Sequence, residues 1–149
     1  MIQSSQCELC AGDGGEVVWR HPDFRVVLVD EAGYPGFCRV IWNGHVKEMT
    51  DLAPVDRTLL ANAVWAVEAA LREVMRPEKV NLATLGNMTP HVHWHVIPRY
   101  LDDLHFPSPV WAPARREADP SSLDARHARL PQLREAIRKQ LSVAGFSAA

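Results

Sequence analysis

Short apolar runs follow one another through the first third of the chain, and this pattern is typical of β-strands. Three such runs predict strands at residues 17–19, 24–29 and 36–42. The last run follows the turn residues Tyr34 and Pro35, which can direct the chain from one strand into the next. The N-terminal part of the chain is therefore predicted to form the beginning of a sheet.

After residue 50 the apolar positions recur every three or four residues, which predicts one long amphipathic helix. Thr50 or Asp51 is expected to cap this helix, and Pro54 is tolerated in its first turn. Arg76 is expected to be near its end, because Pro77 disfavours helical backbone in the residue before it. The apolar stripe consists of Val55, Leu59, Leu60, Ala63, Val64, Val67, Leu71 and Val74.

Two further strands are predicted at residues 80–85 and 91–99, and the turn-like segment 86–90 separates them. Residues 101–122 contain four prolines and are expected to form an ordered loop or arm. A final helix is predicted from about Pro131, ending before Gly145, with Leu133, Ile137 and Leu141 buried. This order of elements predicts an α+β fold with an antiparallel sheet of about five strands.

Composition and charge exclude several classes of protein. With 149 residues, the chain is expected to form one domain, residues 1–149. A net charge of −2 argues against a broad basic surface for nucleic acid or membrane. No apolar run reaches the roughly 18 residues of a membrane span, and the N-terminus lacks the regions of a signal peptide. A cytoplasmic location is therefore expected, and the five tryptophans are expected to lie mostly in the core.

The segment with the clearest chemistry contains His91, His93 and His95, which alternate and so project from one face of a strand. Such a row could be a solvated face, a metal site or a nucleophile with its supporting groups. The outer pair would lie roughly 13 Å apart along a strand, so all three cannot converge on one zinc. Nucleophilic catalysis fits better, and the middle residue, His93, is the natural nucleophile.

The segment His91-Val92-His93-Trp94-His95-Val96-Ile97 resembles the His-φ-His-φ-His-φ-φ signature of the histidine triad (HIT) family, where φ is an apolar residue. The resemblance covers roughly residues 7–100, followed by a Pro-rich arm and terminal helix at 101–149. Its further matches are Asp30, Pro35-Gly36, Trp42-Asn43, His45, Met49-Thr50-Asp51-Leu52, Asn81 and Gly86-Asn87.

This resemblance implies a HIT-like fold and hydrolysis or transfer of nucleoside monophosphates at the α-phosphate, through a covalent nucleotidyl-histidine. His93 would be the nucleophile, while His91 and His95 would position it and polarise the phosphate. The chemistry would require no metal. By the same resemblance, the ribose hydroxyls would contact Asp30, the phosphate oxygens would contact Asn81 and Asn87, and His45 would lie beside the triad.

The sequence also departs from the family pattern. The family's usual Gln-Ser or Gln-Thr before the triad is Asn87-Met88 here. Methionine cannot donate a proton to a leaving group, so Thr89 is the candidate donor. Arg99 follows the triad in a Pro-Arg pair that resembles the dinucleoside polyphosphate hydrolases, and it would either face a polyphosphate or be a surface charge. The segment from residue 102 to Trp111 is interpreted as a branch-specific arm that shapes the pocket or a partner surface.

Cys7 and Cys10 have the two-residue spacing of a zinc half-site, and in a reducing compartment the chain's three cysteines are expected to be thiols or metal ligands. In some HIT proteins the upstream histidine and the first triad histidine complete such a site. The resemblance thus implies a structural zinc on Cys7, Cys10, His45 and His91. The alternative is a pair of free thiols on an N-terminal arm. Cys38 is expected in the core.

The sequence therefore predicts a dinucleoside polyphosphate hydrolase, with a small-molecule nucleotide as its ligand. Two alternatives stay open at this point. One is a nucleoside phosphoramidase, in which the leaving group is an amine. The other is a nucleotide-binding, zinc-stabilised interaction protein with little turnover. The resemblance also implies a homodimer.

Overall fold

The structure is a computed structural model that describes residues 4–149. Its centre is an antiparallel sheet of five strands, as the sequence predicts. The strands are β1 (Glu16–Arg20), β2 (Phe24–Leu28), β3 (Cys38–Trp42), β4 (Lys79–Ala83) and β5 (His93–Arg99), and their order across the sheet is β1-β2-β3-β5-β4. The predicted α+β class is therefore confirmed.

Two helices, α2 (Pro54–Met75) and α4 (Leu130–Val143), cover one face of this sheet and pack on each other and on the sheet. α3 (Pro120–His127) precedes α4, whereas the short α1 (Glu8–Ala11) lies on the other face, where Leu9 packs with Val27 and Ile41. The sheet side chains turned toward this core alternate along the strands, as period-two geometry requires. They include Phe24, Val26, Leu28, Cys38, Val40, Trp42, Val80 and Val96. None of the helices in residues 4–149 is sufficiently long and apolar to cross a membrane.

The long helix begins later than the sequence predicts. Thr50 and Asp51 lie in a separate 3-10 turn (Met49–Asp51), in which the Asp51 carboxylate accepts a hydrogen bond from the backbone N–H of Glu48. The helix itself starts at Pro54, after Ala53 with φ −59° and ψ 151°. Because a proline disfavours helical backbone in the residue before it, Ala53 interrupts the helix and takes the N-cap position from Thr50 and Asp51.

The other face of the sheet is covered by the N-terminal segment, which contains the short helix α1, and by the Pro-rich arm, and a buried arginine binds each of these two segments. Arg25 on β2 is buried, and its guanidinium donates to the carbonyl oxygens of Leu9, Gly12 and Asp13 at 2.7–3.0 Å. These bonds hold the N-terminal segment, including α1, against β2 and β3. The pKa of Arg25 is lowered by burial.

Arg99 on β5 fastens the Pro-rich arm. Its Nε and Nη2 donate to the two carboxylate oxygens of Asp103 at 2.8 and 3.1 Å, and Nη2 also donates to the carbonyl oxygen of Ser108. Nη1 donates to Oδ1 of Asn81 at 2.7 Å. Arg99 is only 2% exposed, so the prediction of a surface charge is wrong. Four of its five guanidinium N–H groups also donate to protein oxygens, and the alternative of a polyphosphate contact stays a prediction.

Asp103 receives more hydrogen bonds than this ion pair alone. The backbone N–H groups of Tyr100, His105 and Phe106 and the hydroxyl of Tyr34 also donate to its carboxylate. Burial by itself would raise the pKa of Asp103, but the bonds from Arg99 and these donors hold it well below its usual range. The arm is thus an ordered loop up to residue 119, after which the capping side chain of Asp119 starts α3.

Candidate active site

His93 is the first residue of β5, and its ring orientation is fixed by its neighbour. Its Nδ1 lies 2.6 Å from the carbonyl oxygen of His91, and a carbonyl can only accept a hydrogen bond. Nδ1 therefore carries the proton, and the lone pair of the neutral ring is on Nε2. His93 lines a cavity of about 790 Å³ on the face of the sheet opposite to α2 and α4. An imidazole in this state can act as a nucleophile toward a ligand in the cavity.

His95 stands beside His93 on the same face of β5, with ring centroids 4.9 Å apart. It packs edge-on against Phe37 and against Trp111 from the arm, and its buried Nδ1 has no hydrogen-bond partner among residues 4–149. Burial lowers the pKa of His95 to about 4, with a further contribution from the charges of His93 and Arg39. The pKa of His93 is also lowered, mainly by burial. Both rings are therefore neutral at neutral pH.

His91 leaves the predicted row. The chain at His91 and Val92 bonds to Thr89 and Val46, so β5 begins only at His93. The ring of His91 turns toward the N-terminal segment, where its Nδ1 lies 3.4 Å from Sγ of Cys7 and 3.5 Å from Sγ of Cys10. The triad thus divides into a pair of rings at the cavity and one ring in a neighbouring cluster.

This cluster consists of Cys7, Cys10, His45 and His91, whose ligand atoms all lie within 4.8 Å of one another. In tetrahedral zinc sites, ligand sulfur and nitrogen atoms lie about 3.5 Å apart, given the usual Zn–S and Zn–N distances. The S–N distances here are 3.4–3.5 Å. Nε2 of His91 lies 2.6 Å from the carbonyl oxygen of Trp42, which fixes its proton there and leaves Nδ1 free to bind a metal. The four residues therefore fit a structural zinc.

The loop before β5 forms one wall of the cavity. Asn87 and Thr89 line it, as does Met88, whose side chain is 97% exposed. The hydroxyl of Thr89 donates to the Glu8 carboxylate at 2.6 Å, so this candidate proton donor is already engaged. The predicted ligand residues of this loop are therefore near His93, but its hydroxyl donor is directed to Glu8.

Two other predicted ligand residues lie outside this cavity. Asp30 is exposed and lines a different groove, together with Glu16 and Arg134. The side-chain oxygen of Asn81 accepts the hydrogen bond from Arg99. Their assignments to ribose and phosphate stay predictions, and the structure offers no contact between either residue and His93.

The cavity also contains residues that sequence reasoning missed. Arg39 on β3 pairs in register with His95, and Glu8 of α1 also lines the cavity. Trp111 of the arm is 52% exposed and closes one side, whereas a core position was expected for most tryptophans. Trp65 on α2 is likewise 50% exposed. An arginine between Cys38 and Val40 in a predicted strand was the available signal for Arg39, because alternation places it away from the core.

The family model described as HIT domain matches residues 14–102, which is more than half of the chain. A histidine triad protein from Bradyrhizobium japonicum has a similar structure, with a TM-score of 0.72 and 25% identity over 94% of this chain and 98% of that one. A histidine triad protein from Marinobacter aquaeolei gives 0.68 and 23%, over 92% and 99%. A zinc-bound histidine triad family protein from Mycobacterium smegmatis gives 0.63 and 22%, over 93% and 97%. No curated protein is significantly similar in sequence.

Proposed function

Because the chain belongs to the histidine triad (HIT) family, we propose that it is a nucleotide hydrolase or nucleotidyl transferase acting at an α-phosphate through a covalent intermediate on His93. We further propose dinucleoside polyphosphates, such as diadenosine tetraphosphate, as its substrates. The observation that carries the proposal is the bond from Nδ1 of His93 to the His91 carbonyl, which directs an unprotonated Nε2 to the cavity.

In the first step, the lone pair on Nε2 of His93 attacks the α-phosphorus while the bond to the leaving phosphate oxygen breaks. The leaving group departs with the electron pair of that bond. The new N–P bond gives the ring a positive charge, and the His91 carbonyl, which accepts from Nδ1–H, stabilises this charge. His93 would be held in the orientation for attack before substrate arrives, which lowers the entropic cost of the step.

In the second step, water attacks the same phosphorus and the N–P bond breaks. Its electron pair returns to Nε2, the proton of the water passes to solvent, and a nucleoside monophosphate leaves. His95 is the neighbouring group best placed to orient the phosphoryl oxygens or the water, because its ring lies 4.9 Å from that of His93. Splitting one displacement into two steps is the advantage of a covalent intermediate.

The loop before β5 favours a phosphate leaving group over an amine. A phosphate can depart as an anion, whereas an amine needs a proton. Met88 has no proton to give, and the hydroxyl of Thr89 is bonded to Glu8. We therefore propose nucleoside phosphoramidase activity only as the second candidate function. The low-turnover binding protein is third, since both rings at the cavity are intact. The predicted homodimer stays a prediction.

The substrate class is tested by following AMP release from diadenosine tetraphosphate and, separately, from an adenosine phosphoramidate. We expect faster turnover of the tetraphosphate, and an adduct of one AMP moiety on the peptide containing His93 after an alkaline quench. Faster turnover of the phosphoramidate would reverse the ranking of the two enzymes. Binding of AMP without release from either substrate would favour the binding protein.

We also propose that Cys7, Cys10, His45 and His91 hold a structural zinc ion. When bound, the ion would cross-link the N-terminal segment to the chain around the active site, and with four protein ligands it has no open position to activate water. The residue that connects the two sites is His91, whose ring is in the cluster and whose carbonyl holds His93. The cluster would therefore help to keep the nucleophile in place.

Replacing Cys10 by serine is expected to abolish stoichiometric zinc binding and to lower the unfolding temperature, since structural zinc contributes directly to folding. Zinc content by mass spectrometry and thermal unfolding with and without a chelator measure both effects. Cys38→Ala is the matched control, because Cys38 is a buried thiol in the main core. It should retain its zinc. A zinc-free wild type whose unfolding temperature does not change with zinc or chelator would contradict the proposal.

A further inference from the structure

The face of the sheet opposite to α2 and α4 carries three arginines on its central strands, and they differ in what their guanidinium groups bind. Arg25 on β2 and Arg99 on β5 are buried, and each makes four hydrogen bonds to protein oxygens, with every guanidinium nitrogen donating at least once. Arg39 on β3 lies between them in the sheet. Its one hydrogen bond within residues 4–149 runs from Nη1 to the carbonyl oxygen of Gly14, at 3.3 Å.

The guanidinium group of Arg39 also has no carboxylate partner among residues 4–149. No acidic group in the described part of the chain lies within 4 Å of it, whereas six other pairs meet that limit. Glu8, the acidic residue that lines the same cavity, accepts from Thr89. A half-buried cation that is not neutralised is costly, so its presence at a cavity indicates a role toward a ligand.

The strand register places this cation next to the catalytic rings. Arg39 lies directly opposite His95, and both residues line the cavity. Nε of Arg39 and Nδ1 of His95 are two of the four buried side-chain polar atoms that lack partners in residues 4–149. Such atoms are rare in folded proteins, and here two of them belong to cross-strand neighbours that both line the cavity.

The position of Arg39 along the strand indicates which part of the ligand it meets. The attacked phosphorus must lie about 3–3.5 Å from Nε2 of His93. Arg39 is opposite His95, which is two residues, or about 6.6 Å, further along β5. Since base and ribose are uncharged, the group that suits a guanidinium at this offset is a phosphate beyond the one under attack.

We propose that Arg39 binds a phosphate of the departing part of the substrate and so selects polyphosphate leaving groups over amines. This inference rests on the hydrolase function proposed above, and it deepens that function by assigning the leaving-group contact to a residue. A bidentate guanidinium–phosphate contact is charge-assisted and has a fixed geometry, so lysine at the same position would replace only its charge.

The decisive experiment compares Arg39→Gln with the wild type on two substrates. We expect kcat/KM for diadenosine tetraphosphate to fall by about 10- to 100-fold, the effect of losing one charge-assisted contact. For an adenosine phosphoramidate, the change should stay within about threefold, and Arg39→Lys should recover part of the loss. Equal losses on both substrates, or no loss on either, would overturn the inference, because either result removes the link to leaving-group charge.

Arg72→Gln is the control for losing a positive charge elsewhere, because Arg72 is exposed on α2. It should change either rate by less than about twofold, since exposed charges are screened by salt. A second measurement separates this inference from the hydrolase proposal. In a His93→Ala background, calorimetry should show tighter binding of ADP than of AMP, and Arg39→Gln should remove that difference. An unchanged difference would overturn the inference whether or not the wild type turns over.

Discussion

Replacing His93 by alanine is expected to reduce the release of AMP from diadenosine tetraphosphate by roughly 10⁴-fold or more, the scale on which enzymes lose rate without their nucleophile. The reason is chemical, because the variant has no atom that can form the N–P bond. Binding of AMP should change little, since the one hydrogen bond of the His93 ring in the described part of the chain is to a backbone carbonyl. Steady-state AMP release, with AMP affinity measured by calorimetry, tests both expectations.

A matched control is His127→Ala, because His127 is exposed on α3 and lines no part of the cavity. It should retain full activity. His93→Gly allows a second test, because imidazole added to the buffer can enter the space of the lost ring and accept the nucleotidyl group. Recovery of rate in proportion to imidazole would support the covalent route. A His93→Ala enzyme that keeps wild-type turnover would exclude His93 as nucleophile.

Asp103→Asn is expected to destabilise the protein by about 3–5 kcal/mol, the usual effect of removing one partner from a buried ion pair. The Arg99 and Asp103 side chains are 2% and 1% exposed, so the guanidinium would keep its charge without a counter-charge. The NH₂ group of the asparagine would also face N–H and O–H donors that now donate to a carboxylate oxygen of Asp103. Because the free energy of unfolding of a folded domain is only about 5–15 kcal/mol, this loss is a large fraction of the total stability. Urea unfolding of the wild type and the variant at neutral pH measures the loss.

The adjacent residue provides the control. Asp102 pairs with Arg126 at 2.7 Å, but its side chain is 48% exposed, so Asp102→Asn should change stability by less than about 1 kcal/mol.

The stability of the two variants should also depend differently on pH in the acid range. The pKa of Asp103 is lower in the folded than in the unfolded chain, so its contribution is present above about pH 4 and declines below it. The difference in the free energy of unfolding between the wild type and Asp103→Asn should therefore become smaller as the pH falls below about 4. Equal losses for the two variants at neutral pH would contradict the argument.

Features that depend on local pattern were predictable from the sequence. Alternation places His93 and His95 on one face of β5 and Val96 on the other, and the structure agrees. The three- and four-residue period marks α2, and Pro77 follows its end. The four residues of the thiol–imidazole cluster also meet, although the family resemblance, not local geometry, was what selected them.

Features that depend on distant contacts were not predictable in this way. The turn of the His91 ring out of the row depends on Cys7, which is 84 residues away in the chain. Arg99 and Asp103 follow the triad in a stretch that mixes charged and apolar residues and gives no local sign that these two are buried, and the arm that covers them has no regular period. The role of Arg39 depends on the pairing of β3 with β5, which a single strand does not specify.

The strict alternation along β3 and β5 ties the stability of the protein and its chemistry to the same backbone positions. Val40 and Val96 face the helices, while Arg39 and His95 face the cavity. A deletion or insertion of one residue within either strand would exchange the two faces, sending charged groups into the core and apolar groups into the site. Among related sequences, insertions and deletions should therefore occur in the arm and in the N-terminal segment, while the central strands should differ by substitutions alone.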